Sequence, residues 1–171
     1  GYAADPTEVV NYVSKHDNQT LWDMITYKAA QQADLNTRVR MQAVSLATVM
    51  LGQGIAFDQQ GSELLRSKSF TRDSYDSGDW FNRVDYTMQD NNFNVGMPRI
   101  SDDGSNYEVI SRVKEMVATP GEAELKQMTA FYQELTGLRK SSPLFTLGDG
   151  SAVGVLKPAA AKTARRGRFP A

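Results

Sequence analysis

Two short runs of β-forming residues, with helical text between them, constrain this chain more than any other feature. Val9-Val10-Asn11-Tyr12-Val13 has the composition of a buried strand, and Gly54-Ile55-Ala56-Phe57-Asp58 reads as a second one. Strand, helix and strand at this spacing form a βαβ unit, which implies a parallel pair with a right-handed crossover. Parallel pairing brings the carboxyl ends of both strands to one edge of the sheet. Each run ends abruptly in polar residues: Ser14-Lys15-His16-Asp17-Asn18 after the first and Gln59-Gln60-Gly61-Ser62-Glu63 after the second. The two clusters should stand side by side, at the edge where catalytic and binding groups gather in barrels and open α/β sheets. His16 is the only histidine of the chain. An isolated His-Asp pair is ordinarily a surface turn, so its neighbours must carry any functional reading.

The text between the strands predicts two helices. Thr20 is expected to cap the first, with Asp23 as its reciprocal partner, and the helix to reach about Gln32. Leu21, Met24, Ile25 and Tyr27, or the stem of Lys28, would face inward. Asn36 is expected to cap a second helix over 37–51, stopped by Gly52. Its positions Val39, Ala43, Leu46, Ala47 and Met50 keep a 3.6 period. Beyond Met41 it is apolar almost all round, so neighbours should wrap it.

Residues 66–107 read as one long irregular segment rich in Asp, Asn, Ser and Gly. A loop of that length is functional or disordered. The aromatics Phe70, Tyr75, Trp80, Phe81, Tyr86, Phe93 and Tyr107 argue against disorder. Most of them are expected to anchor the loop to the core. Aromatic faces among carboxylates and amides also suit a sugar, with rings on the C–H face and Asp or Asn on the hydroxyls. Asp102-Asp103-Gly104-Ser105-Asn106 and Asp90-Asn91-Asn92 offer the hard oxygen ligands that calcium takes, but without the spacing of a known loop. Clusters of this kind are mostly turns.

A helix is expected from about Tyr107, with Val109, Ile110, Val113, Met116 and Val117 on its apolar face. Thr119-Pro120-Gly121-Glu122 predicts the start of another over 120–140, turning Leu125, Met128, Phe131, Tyr132, Leu135 and Leu138 inward. Ser142-Pro143 should end it. Leu144-Phe145-Thr146-Leu147 then reads as the start of a strand, with Gly148-Asp149-Gly150 as a turn. Residues 148–171 are expected to form an irregular basic tail, disordered or non-native.

Charge is divided unevenly. Residues 151–171 hold Lys157, Lys162, Arg165, Arg166 and Arg168 and no acid, so residues 1–150 carry 14 basic and 20 acidic groups, a net of −6. That acidic body disfavours nucleic acid as a partner. No cysteine is present, which excludes disulfides and thiolate metal sites. No apolar run is long enough to span a bilayer, and the first residues show no signal-peptide pattern.

Asn11-Tyr12-Val13-Ser14-Lys15-His16-Asp17-Asn18 resembles the fourth conserved region of the α-amylase family of glycoside hydrolases. Gly54-Ile55-Ala56-Phe57 through Gly61-Ser62-Glu63 resembles that family's eighth barrel strand and its sequel. Phe131-Tyr132 through Leu138-Arg139-Lys140-Ser141-Ser142-Pro143 resembles its last barrel helix. Ser67-Lys68-Ser69 and Tyr75-Asp76-Ser77-Gly78-Asp79-Trp80-Phe81-Asn82 are similar to the bacterial pullulanases within it. The likeness covers about residues 5–150.

The resemblance implies an α/β fold that is part of a (β/α)₈ barrel: strands seven and eight with their helices, over residues 1–147. It implies that Asp17 is a catalytic carboxylate that stabilises the transition state, and that His16, Asn18, Asp73, Tyr75 and Trp80 bind substrate. The substrate would be an α-glucan such as pullulan or branched maltooligosaccharides, cleaved at α-1,6 bonds with retention. Retaining enzymes need a nucleophile and an acid/base about 5–5.5 Å apart. The family carries these after strands four and five, which fall before residue 1. The isolated chain is therefore expected to be inactive, with the first part of the barrel as its necessary partner. No cofactor is assigned, and calcium could bind in the parent enzyme. An extracellular or cell-surface location is implied for that parent. The alternative is a non-catalytic carbohydrate-binding remnant.

Overall fold

The computed structural model describes residues 2–155. Strand β1 (Val10–Asn11) and strand β2 (Ile55–Ala56) pair in parallel, with Val10 opposite Ile55 and Asn11 opposite Ala56. The pairing is extended by Ile55 N–H donating to the Val9 carbonyl at 2.8 Å and Phe57 N–H to that of Asn11 at 2.9 Å. The parallel pair is as expected, but regular strand is shorter than the runs 9–13 and 54–58. Gly54 permits the close approach at its start, because a Cβ there would lie 2.7 Å from the Val9 carbonyl oxygen. The strand side chains are poorly covered: Val10 is 50% and Ile55 49% exposed, and Tyr12 and Phe57, edge to face at 6.4 Å, are also exposed.

Helix α1 (Leu21–Lys28) is capped by Thr20, whose hydroxyl accepts from Asp23 N–H at 3.2 Å. It stops short of Gln32, and its buried face is Leu21, Trp22, Asp23 and Thr26 rather than Met24 and Ile25, which are half-buried. The buried Arg38 guanidinium accounts for the early stop. It donates to the carbonyls of Ala30 at 3.0 Å and Ala33 at 3.2 Å, and more weakly to those of Ile25 and Thr26, satisfying the groups that α1 leaves open. Helix α2 (Leu35–Met50) begins two residues before the expected position. Asp34, not Asn36, is its cap, accepting from Thr37 N–H at 2.7 Å. Its buried stripe carries Val39, Ala43, Leu46, Val49 and Met50 together with Arg38 and Gln42. Met41 and Val44 face outward, so within the described residues the helix is not wrapped all round.

Short helix α3 (Ile100–Asp103) forms inside the segment 66–107 read as irregular, and α4 (Tyr107–Met116) begins at its end. Helix α4 buries Ile110 and Val113, while Met116 is exposed. Helix α5 (Glu122–Ser141) starts later than Pro120. Gly121 is its cap residue, and Glu124, not Glu122, reaches back to accept from Gly121 N–H at 2.9 Å. Leu125, Met128 and Leu135 are buried, Phe131 and Tyr132 are partly covered, and Leu138 is exposed. Helix α5 packs on α2, and α1 on α2 and α4, around a core of Trp22, Leu46, Leu65, Phe70, Phe93 and Ile110. Arg139 ties the end of α5 to the α2–β2 connection, donating to the carbonyls of Met50 and Gly52 at 2.7 Å and of Gly54 at 3.1 Å. That same guanidinium answers the carbonyls at the C-terminus of α2.

The expected strand at 144–147 is absent. Pro143–Phe145 forms a single 3-10 turn instead, as the fixed φ of Pro143 favours. Helix α6 (Gly150–Gly154), capped by Asp149, stands inside the stretch read as an irregular tail, and Gly150 N–H donates to Asp5 at 2.8 Å. The rest of that tail, 156–171, lies outside the described residues.

Candidate functional site

The parallel register does what the strand text requires: it places the polar clusters beyond β1 and β2 together. The buried Ser14 hydroxyl donates to Gln59 Oε1 across the pair at 2.6 Å. His16 then lies at the rim of a depression of about 370 Å³ shared with Phe57, Asp58, Gln59, Arg66 and Lys68. The His16 side chain is 87% exposed, and its Nε2 stands 3.4 Å from Asp17 Oδ1. Asp17 is also exposed and accepts from the Lys15 ammonium. That bond holds the Asp17 carboxyl below the usual carboxylate range, with smaller help from the positive charge of Lys68.

Asn18 adopts the left-handed region at φ 60°, one of the few non-glycine residues to do so, as Asn tolerates. The turn it makes brings Asp17 and Asn18 to a second depression of about 270 Å³, where Arg72, Asp73 and Asp102 complete the lining. Trp80 lines a third and larger one, about 820 Å³, with Arg83, Asp90 and Asn92. Asn82 lines both this cavity and that of His16, so the two share a wall. Tyr75 lines none of these three and is 88% exposed on the surface.

The irregular segment sorts its aromatics into two groups. Phe70, Phe81 and Phe93 are buried; Phe70 meets Tyr27 edge to face at 5.2 Å and Phe93 at 5.5 Å. Tyr107 is tied through its hydroxyl to the Pro98 carbonyl. Tyr75, Trp80 and Tyr86 are exposed. Anchoring thus accounts for four of the seven; Tyr86 is also tied through its hydroxyl, which accepts from Gln60 Nε2 at 2.6 Å, and Tyr75 and Trp80 are the most exposed of the rings. The oxygen-rich clusters are used within the fold. Asp90 pairs with Arg83, Asn91 donates to the Leu65 carbonyl at 2.8 Å, and Asn92 to that of Trp80. Asp102 pairs with Arg99, which also bridges to Asp76 at 2.8 Å, and Asp103 accepts from Arg72 N–H at 3.0 Å. Among the described residues no three His, Cys, Asp or Glu stand close enough to hold a metal ion.

Several residues at this edge were not read as site residues from the sequence. Asp58 lies at the carboxyl end of β2, where burial raises its carboxyl against hydrogen bonds from Ser62 and Tyr132. Tyr132 in turn is pushed up to about 12, by burial first and by Asp58 second. Asp23 is fully buried and binds the loop after β2 rather than the Thr20 backbone: Ser67 Oγ, Lys68 N–H at 2.9 Å and Phe70 N–H at 3.2 Å all donate to it. Burial raises its carboxyl, opposed by these bonds. Lys68 is only 1% exposed, and its ammonium donates to the His16 carbonyl at 2.8 Å. The Ser67-Lys68-Ser69 run, separated by three residues from the second strand's polar cluster, was the one available signal.

The chain is thus a helix-rich body with one parallel strand pair, whose carboxyl ends carry a His-Asp loop beside depressions lined in part by Phe57 and Trp80. Residues 88–155 match the family described as alpha-1,6-glucosidases, pullulanase-type, C-terminal. The chain is 94% identical over 153 residues to a pullulanase of Klebsiella pneumoniae, covering 90% of this chain and 14% of that one. It is 40% identical over 153 residues to pullulanase 1, chloroplastic, of Arabidopsis thaliana, covering 89% and 16%. The crystal structure of the Klebsiella pneumoniae pullulanase complexed with maltotriose superposes with a TM-score of 0.87 at 90% identity, over 90% of this chain and 14% of that one. The chain therefore spans 14 to 16% of the length of these curated relatives.

Proposed function

We propose that this chain is a segment of a pullulanase, an α-1,6-glucan debranching hydrolase, and that it supplies the sugar-facing loop with one carboxylate of the catalytic set. The observation that carries the reading is the 94% identity over 153 residues to a pullulanase, 90% of this chain. The strand pair would then be the seventh and eighth strands of a (β/α)₈ barrel, a reading supported by the exposed apolar side chains of Val10 and Ile55. Such side chains need a barrel interior to cover them. The parent enzyme would act outside the cell or at its surface, as the resemblance implies.

Asp17 would stabilise positive charge at the anomeric carbon. An exposed carboxyl, lowered further by its bond from Lys15, is ionised at neutral pH, as that role requires. His16 would donate to sugar hydroxyls from its exposed position. In a full-length pullulanase carrying this segment, Asp17→Asn should lower kcat about a hundredfold or more while KM for pullulan changes little. Near-parental kcat in that variant would reject the assignment, and glucan binding without any turnover in the unmutated enzyme would favour the carbohydrate-binding alternative.

A further inference from the structure

We propose that Lys68 is a positioning residue for the His16–Asp17 loop. The inference rests on the reading that this loop faces the sugar, and three contacts carry it. The buried ammonium donates to the His16 carbonyl at 2.8 Å, the only acceptor it has among the described residues. Its own backbone N–H donates to Asp23 at 2.9 Å, so the lysine is fixed at both ends. Asp23 sits on α1, whose cap Thr20 follows the loop directly. The loop is thus held at its middle by the Lys68 head and at its exit by the helix to which the Lys68 backbone is bound. Ser14 to Gln59 pins its entry at 2.6 Å.

The cost of this arrangement argues for a function. Burying an ammonium with a single neutral acceptor is unfavourable, and burial lowers the Lys68 pKa accordingly. An apolar residue of similar length would fill the space without that cost. What the cation adds is a charged hydrogen bond to one carbonyl, next to the residue whose side chain must be aimed. It also places a positive charge where it favours ionised Asp17. Backbone geometry supports a demand for this position: Leu65, Ser69 and Phe70, flanking Lys68, all have positive φ, and the hydrogen bonds to Asp23 hold that stretch.

The test uses a full-length pullulanase carrying this segment, with Asp17→Asn as a control that reports on the site itself. Lys68→Met should lower kcat on pullulan at least tenfold with KM within twofold. Amide exchange should accelerate in residues 14–19 and stay unchanged in α2. If Lys68→Met does not fold, Lys68→Gln decides by the same two readouts, since its shorter amide cannot span to the His16 carbonyl. A kcat within threefold of the parent, or faster exchange spread across the whole domain, would overturn the inference. If Asp17→Asn retains full activity, the site reading fails instead, and the inference falls with it.

Discussion

Asp17 and Lys15 form an exposed pair, and exposed pairs contribute little to stability. Their consequence is local: the carboxyl is held below its ordinary range, and the hydrogen bond from Lys15 is the largest cause. A depressed carboxyl supplies its stabilising share fully above the ordinary value near about 3.9 and loses it as pH falls through the lower folded value. Lys15→Met should therefore move the Asp17 titration upward, read by carboxyl carbon NMR across the acid range; coincident curves would show that Lys15 has no such hold. Trp80 belongs to the same scale. Its ring is 75% exposed while its backbone carbonyl is held by Asn92. Trp80→Ala should weaken maltooligosaccharide binding several-fold in calorimetry with the melting temperature of the enzyme nearly unmoved. Loss of stability at unaltered affinity would return Trp80 to the anchoring group. His16 and Asp17 were legible as a pair because they follow a strand, whereas Lys68 stood out only as part of the Ser67-Lys68-Ser69 run, and its bond to a carbonyl 52 positions away was not legible.

The elements around the site are set by caps as much as by apolar periodicity. Thr20 terminates the His16–Asp17 loop and starts α1 with one hydrogen bond. Thr20→Ala should cost about 1 kcal/mol of α1 stability. That corresponds to roughly fivefold faster amide exchange at the start of α1, with α5 as an unaffected reference. Equal exchange in both proteins would mean that packing of the buried Trp22 fixes the helix start instead. Cap positions were also where expectation and structure parted. Asp34 displaces Asn36, and Gly121 displaces Thr119, and in each case the bond that marks the cap is local: Thr37 N–H to Asp34 at 2.7 Å and Gly121 N–H to Glu124 at 2.9 Å. The early end of α1 has a longer-range origin, since the Arg38 guanidinium from the next helix donates to the Ile25, Thr26 and Ala30 carbonyls.

For the whole molecule, the strand pair is the element least satisfied by its surroundings. Among the described residues it is the sole sheet, two strands wide, so each strand has an open edge. Exposed Val10, Tyr12, Ile55 and Phe57 add apolar surface beside those edges. The purified chain 1–171 should associate in sedimentation experiments and release no reducing sugar from pullulan, because double displacement needs a nucleophile and an acid/base that the resemblance assigns elsewhere. A sharp melt as a monomer would overturn the association argument alone. Measurable turnover, lost in Asp17→Asn, would overturn the chemical one.

The sequence by itself determined the parallel strand pair, the helical stripes of α2, α4 and α5, and the meeting of two polar clusters at one edge, because alternation and periodicity are local properties of the chain. Only the tertiary structure decided which polar groups are structural and which are free. Asp23, Arg38 and Lys68 look like surface residues in the text, yet each is buried against a backbone brought to it from another part of the chain. Burial of a charge is tolerated only where a partner satisfies it, and the position of that partner exists only once the chain has folded.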